Sequence, residues 1–184
     1  GRWYYEVVLL TDGLMQIGWA DNDFVCDPVR GQGVGDHPHS WAIDGFRQKI
    51  WCLNSASYGE RWQTGDVLGV LLDLNLYEMR FFLNGRDLGV AFRGFRGQGI
   101  FPAASLNDGQ AAHFNFGSSQ FMHPPSGIDG LPFRAVADAT PSSRGSSRAS
   151  TNAESVLDGV LPTDATEDNQ QINSFDQDGA TTMQ

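Results

Sequence analysis

Residues 78–92, EMRFFLNGRDLGVAF, carry the strongest constraint in the chain: two strand-patterned runs joined by Asn84-Gly85. A two-residue type I′ turn needs positive φ at both central positions, and Asn-Gly is the pair that adopts it most readily. Met79, Phe81 and Leu83 fall on one side of the first run, Glu78 and Arg80 on the other. That is the period of two expected of a half-buried strand. A hairpin fixed in this way needs a sheet to sit in, and the residues up to Gly117 supply one.

Trp3, Tyr5, Val7 and Leu9 alternate with Tyr4, Glu6 and Val8, as a strand covered on one face would. Met15, Ile17 and Trp19 alternate with Gln16 and Gly18, and Ala112, Phe114 and Phe116 with His113 and Asn115. In DVLGVLLDL both parities are apolar, which predicts a central strand buried on both faces. Helical i, i+3, i+4 spacing is nowhere sustained. Strands at roughly 8–12-residue spacing with Gly-rich turns predict an all-β sandwich. Residues 21–40 and 53–64 are its long loops. Trp19, Trp41, Trp51 and Phe81 are expected in the core, and Trp62 beneath the YGERW loop, with Tyr58 reaching solvent. Asp44 and Arg47 flank a tight turn and are expected to pair.

The sheet region ends at Pro124-Pro125, giving a domain over 1–125. A short tie-down segment comes next, over 126–137, through Leu131, Pro132 and Phe133. Residues 138–184 are acidic and Ser/Thr-rich with scattered apolar positions. Such a stretch cannot bury enough surface to offset its ordering entropy, so it is expected to be a disordered tail. Within it SSRGSSRAS sets Ser147 and Thr151 three residues after Arg144 and Arg148, a pattern basophilic kinases accept; an unmodified linker is the simpler reading.

Charge narrows the function. Up to Ala137 there are 14 acids and 10 bases, and beyond it 8 acids against Arg144 and Arg148, within a net charge of −10. A nucleic-acid binder needs a basic stripe, and an anionic membrane surface needs the same. No window approaches the ~18 consecutive apolar residues of a membrane span. Cys26 and Cys52 form no C-x-x-C and have no His at finger spacing, so neither a zinc site nor a disulfide framework is implied. Reduced thiols and the absence of an N-x-[ST] sequon fit a cytoplasmic location. The opening GRWYYEVVLL lacks an initiating Met and reads as the middle of a strand, as in a piece of a longer chain.

Catalytic patterns are wanting. There is no G-x-S-x-G elbow and no H-E-x-x-H. GQGVG at 31–35 is followed by His37, Pro38 and a strand rather than by a helix that could cradle a pyrophosphate; its glycines serve a loop that turns back on itself. Asp36, His37 and His39 are closely spaced potential ligands, but three such neighbours rarely converge on one ion without a fourth group. Asp21, Asp23 and Asp27 lack the Gly and terminal Glu of a calcium loop. No cofactor, metal or small-molecule substrate is implied.

Four stretches, in order, carry a resemblance: GRWYYEV…GLMQIGWAD, GVGDHPHSWAIDGFRQKIW, YGERWQTGDVLGVLLDLNLYEMRFFLNGRDLGVAF and FPAASLNDGQAAHFNFG. Together they resemble a SPRY domain of the B30.2/SPRY family, over roughly Gly1 to Pro125. GLMQIGWA and GVGD…DG are most similar to SPRY domains of RING-finger ubiquitin ligases. YGERWQTGDVLG is similar to those of ryanodine receptors, and LGVAFRGFRGQGIFPAAS to those of SOCS-box proteins. The resemblance implies a bent antiparallel β-sandwich, a concanavalin-like jelly roll, whose first strands lie upstream of WYYEV. It also implies a binding module, not an enzyme, that presents loops to a protein or peptide.

In the SOCS-box members a loop Tyr and a Trp build a pocket for an Asn-rich peptide. Arg30 and Asp108 occupy those positions here, so that peptide should not bind. The resemblance places a recognition surface on Arg30, Gln32, Asp36, His37, Tyr58, Asn107 and Asp108. Recruitment of a substrate or scaffold within a larger ubiquitin ligase is the first functional expectation. An interdomain packing unit of a large channel or scaffold is the alternative, and a lectin-like sandwich a more distant third.

Overall fold

The computed structural model describes residues 1–125 and 132–139. Leu131, Ser147, Thr151 and all but the first two residues of the expected tail lie outside them. The strands are Arg2–Leu9 (β1), Met15–Ala20 (β2), Ser40–Asp44 (β3), Lys49–Cys52 (β4), Asn54–Ser57 (β5), Val67–Asp73 (β6), Glu78–Leu83 (β7), Arg86–Arg93 (β8), Phe101–Leu106 (β9), Ala112–Asn115 (β10) and Arg134–Ala135 (β11). One sheet has the order β10-β1-β6-β7-β8, with the two residues of β11 adding in parallel beside β1. The other has the order β5-β4-β3-β2-β9, and every other pairing is antiparallel. The protein is an all-β sandwich, as its periodicity predicts. No α-helix occurs among the described residues, and none is long and apolar enough to cross a membrane.

The inward parities meet in one core. Tyr5, Val7, Leu9, Leu68, Val70, Leu72, Met79 and Phe81 of the first sheet pack on Met15, Ile17, Trp19, Trp41 and Ile43 of the second. Tyr5 is fully buried and its hydroxyl donates to the Gly18 carbonyl at 2.6 Å, satisfying a polar group that burial would otherwise penalise. Trp62 lies under its loop, with its indole N–H 3.3 Å from the Gly13 carbonyl.

The Asn84-Gly85 hairpin has the expected geometry, with φ of 50° and 81° and Leu83 paired to Arg86. Asn84 also works as a clasp. Its Oδ1 accepts from the Val67 amide at 2.8 Å, and its Nδ2 donates to Asp66 at 2.9 Å, tying the turn to the start of β6. Asp44 and Arg47 do pair, and Asp44 is fully buried.

Several expectations need correction. Strand β1 is covered on both faces, because segments after β10 lie across its outer side. Phe121 and Phe133 pack around Tyr4, and the amides of Met122 and His123 each donate to Glu6 at 2.7 Å. Part of the expected 53–64 loop forms the exposed edge strand β5. Trp51 is not core: Ile50 and Cys52 take the inward parity of β4, so Trp51 lies half-buried on the outer face beneath the Arg47 guanidinium, 4.2 Å away. Phe116, expected inside, is 38% exposed and stacks on Phe114. Tyr58 is half-buried, its hydroxyl donating to the Gly89 carbonyl at 2.7 Å and its ring against Phe81. It thereby joins the edges β5 and β8, and burial pushes its pKa up.

Candidate interaction surface

The long loop between β2 and β3 folds back over the outer face of the second sheet. Its projecting part is a tight ring. Asp27 and Gln32 pair through their backbones, and Asp27 Oδ1 accepts from the Arg30 amide at 3.2 Å to cap the single 3-10 turn Pro28–Arg30. Proline suits the first position of such a turn because its missing N–H would be unpaired there anyway. Gly31, at φ 69°, ends it. The ring holds out Val29, 95% exposed, and Arg30, whose guanidinium is 3.6 Å from Asp27 and open to solvent.

Residues 33–36 pin this ring to the scaffold. The Val34 amide donates to Ser105 Oγ at 2.9 Å, the Gly35 amide to Ser40 Oγ at 2.8 Å, and the Leu53 amide to the Gly35 carbonyl at 2.8 Å. Gly35 has φ 96°, and a Cβ there would sit 2.7 Å from Trp51 Cβ and 3.2 Å from Ala42 Cβ. Only glycine combines that torsion with that approach. With the core covering Met15, Ile17 and Trp19 from the inner side, every residue of β2 is buried.

Of the sequence-derived site residues, Arg30, Gln32, Asp36 and His37 share this loop. Gln32 is exposed, Asp36 turns back to accept from the Gly33 amide at 2.9 Å, and the His37 ring packs against Phe24 and His39. Asn107 and Asp108 are exposed in the β9–β10 turn, two and three residues beyond Ser105, which anchors the loop. The loop thus meets β9 at Ser105, through residues 33 and 34. Tyr58 is not near Asn107 and Asp108. It comes directly after β5, four strand steps from β9 and so about 19 Å from Asn107 and Asp108 at the usual strand spacing.

Asp21, Asp23 and His39 bring their potential ligand atoms within 4.8 Å of one another. Asp21 Oδ1 accepts from the Asp23 amide and Oδ2 lies 2.9 Å from His39 Nδ1, a contact that raises the His39 pKa against the opposing effect of desolvation. The Asp21 carboxylate is thus already hydrogen-bonded. Asp36 has a different partner, so Asp36, His37 and His39 do not form one cluster.

Sequence reasoning missed Val25 and Val29, the exposed apolar side chains of the loop, at 66% and 95%. Asp27-Pro28 was the available signal, since that dipeptide favours turn initiation and so pushes the next residues outward. It also missed Trp51 with Arg47 and Lys49 on the outer face. Alternation alone gives no warning there, because Gln48 at φ 56° resets the parity of β4.

Comparison with known proteins agrees with this architecture. The chain is 42% identical over 135 residues to the E3 ubiquitin-protein ligase RKP of Arabidopsis thaliana, an alignment covering 71% of the chain and 10% of that protein. The chain thus spans about a tenth of that relative's length. The family model for the SPRY domain matches residues 2–119, from the start of β1 to just past β10. SPRY domains are generally protein-interaction modules, and this chain belongs to the SPRY domain family.

Proposed function

We propose that this SPRY domain recruits a substrate or scaffold protein within a larger ubiquitin ligase and takes no part in catalysis itself. The observation carrying this reading is the loop over the second sheet. Its backbone is fixed to the scaffold at three points while Val29 and Arg30 stand free in solvent. A rigid scaffold holding out a mixed apolar and cationic tip is the arrangement that recognition loops use. Asn107 and Asp108, just beyond the loop's anchor Ser105, supply an amide and an anion. A partner segment with an acidic or hydrogen-bonding group beside a small apolar contact would match.

Similarity to part of an E3 ligase supports the ligase setting. The surplus of acids speaks against nucleic acid and anionic membrane. Cys26 and Cys52 are free thiols, which supports a cytoplasmic location.

Affinity purification of the full-length parent protein, with quantitative mass spectrometry of what it retains, tests the reading. The double variant Arg30→Ala/Asp108→Ala should lose a defined set of partners while keeping the wild-type melting temperature. An unchanged partner set would sink the assigned surface.

A further inference from the structure

The sandwich has two ends. Asn84-Gly85 and Asn107-Asp108 lie at one, where Met15 pairs with Leu106 and Leu68 with Leu83. The other end, where Arg2 pairs with Asp73 and Ala20 with Phe101, has no role in the function proposed above. There a cavity of about 290 Å³ opens between the sheets, walled by Trp3, Trp19, Leu72, Leu74, Ile100 and Val136. Its mouth includes Ala139, which is exposed, and Trp3, which is half-exposed. A shallower groove of about 630 Å³ shares Gly97 with it and continues past Leu76, Tyr77, Phe95 and Arg96. Leu76 and Tyr77 are 56% and 53% exposed.

The charges give this end a chemical preference. Arg96 and Arg134 are exposed and make no ion pair among the described residues. Arg96 lines the groove, and the Arg134 guanidinium lies 5.2 Å from the ring of Trp3, over one wall of the cavity. In a protein of net charge −10, two unpaired cations beside one apolar cavity form a local basic rim. Asp138 is the one acid of the neighbouring segment 132–139.

We propose that cavity and groove form a second peptide-binding site, for a partner segment in which a bulky apolar side chain is flanked by acidic residues. The cavity lies at the small end of the roughly 300–1,000 Å³ typical of small-molecule sites, which suits one side chain better than a cofactor. The apolar side chain enters between Trp3, Trp19 and Leu72. Its neighbours' carboxylates reach Arg96 on the groove side and Arg134 on the other. Arg30, Asn107 and Asp108 are not among its lining residues, so the two sites can be tested apart.

The test uses the full 184-residue chain labelled with nitrogen-15. The Trp19 indole resonance is assigned with Trp19→Phe or, should that variant misfold, by elimination with the four other tryptophans. The probes are N-acetyl-Asp-Leu-Asp-amide, N-acetyl-Lys-Leu-Lys-amide and N-acetyl-Asp-Ala-Asp-amide. The first should shift the Trp19 resonance saturably, and the other two should bind about tenfold more weakly. Arg96→Glu should cost about tenfold, and Ala139→Trp, which fills the mouth from an exposed position, should abolish the response. Arg30→Ala/Asp108→Ala should leave it unchanged, which separates this site from the loop surface. No shift with the first peptide, or equal shifts with all three, would overturn the proposal. So would a shift that tracks protein concentration alone, which would mean a second copy fills the cavity.

Discussion

The outer faces of the two sheets are both covered, but by different means. Over the first sheet, the segments after β10 are held by a buried carboxylate and an aromatic cluster. Glu6 accepts from two backbone amides at 2.7 Å, and Tyr4, Phe121 and Phe133 interlock with T-shaped and tilted rings. Over the second sheet, the seam that pins the loop after β2 consists of amide-to-hydroxyl and amide-to-carbonyl bonds around a glycine, with Val34 buried beside it, and the outward side chains at the loop's tip remain in water. Charge-assisted bonds and buried rings are the stronger ties. The first cover therefore seals a sheet, whereas the second holds a tip in position and leaves its side chains available. A fold can cover a face for stability or for display, and the anchoring chemistry distinguishes the two.

That contrast can be broken at its strongest point. Glu6→Ala removes the acceptor of two buried amides and should cost about 3 kcal/mol, read by urea denaturation. A loss under about 1 kcal/mol would mean that the aromatic cluster alone holds the first cover. Gly35→Ala should cost about 2 kcal/mol, since it combines positive φ with a Cβ too close to Trp51. It should also speed hydrogen exchange at the Val34 amide, whereas exchange at Met122 stays slow. Ser105→Ala deletes one seam bond, with about 1 kcal/mol expected.

At the display itself the stability effect should nearly vanish. Val29→Ala and Arg30→Ala should each lie within about 0.5 kcal/mol of wild type, so any lost binding there reports recognition rather than folding. The smallest effect is protonic. The folded-state pKa of His39 is raised through Asp21. Its contribution is fully present below the unfolded value of about 6.5 and is lost as pH rises through the folded one. Asp21→Asn should return the His39 titration, monitored by NMR, toward the ordinary value; an unmoved titration would show that the contact does not control it.

The contrast also bears on how much of the molecule is legible in its sequence. Alternation identified the strands because each sheet turns one parity inward, and Asn84-Gly85 fixed a hairpin through torsions that few other pairs adopt. The glycines of GQGVG were legible as a loop that turns back. The grouping of Arg30 with Asn107 and Asp108 rested only on a family resemblance, and the same reasoning put Tyr58 with Asn107 and Asp108, whereas geometry sets it at the other edge of the sheet from them. Glu6 looked like a solvent-facing strand residue because its partners, Met122 and His123, are more than a hundred positions later.

By itself, the sequence determined the local choices: strand over helix, the positions of tight turns, and which parity is apolar. These depend on torsional preference and on residues adjacent in the chain. Which outer faces are sealed, which side chains stand free, and that two unpaired arginines flank one cavity were decided by tertiary structure alone. Burial and pairing are properties of contacts between distant segments, and no periodicity within one segment records which distant segment will lie across it.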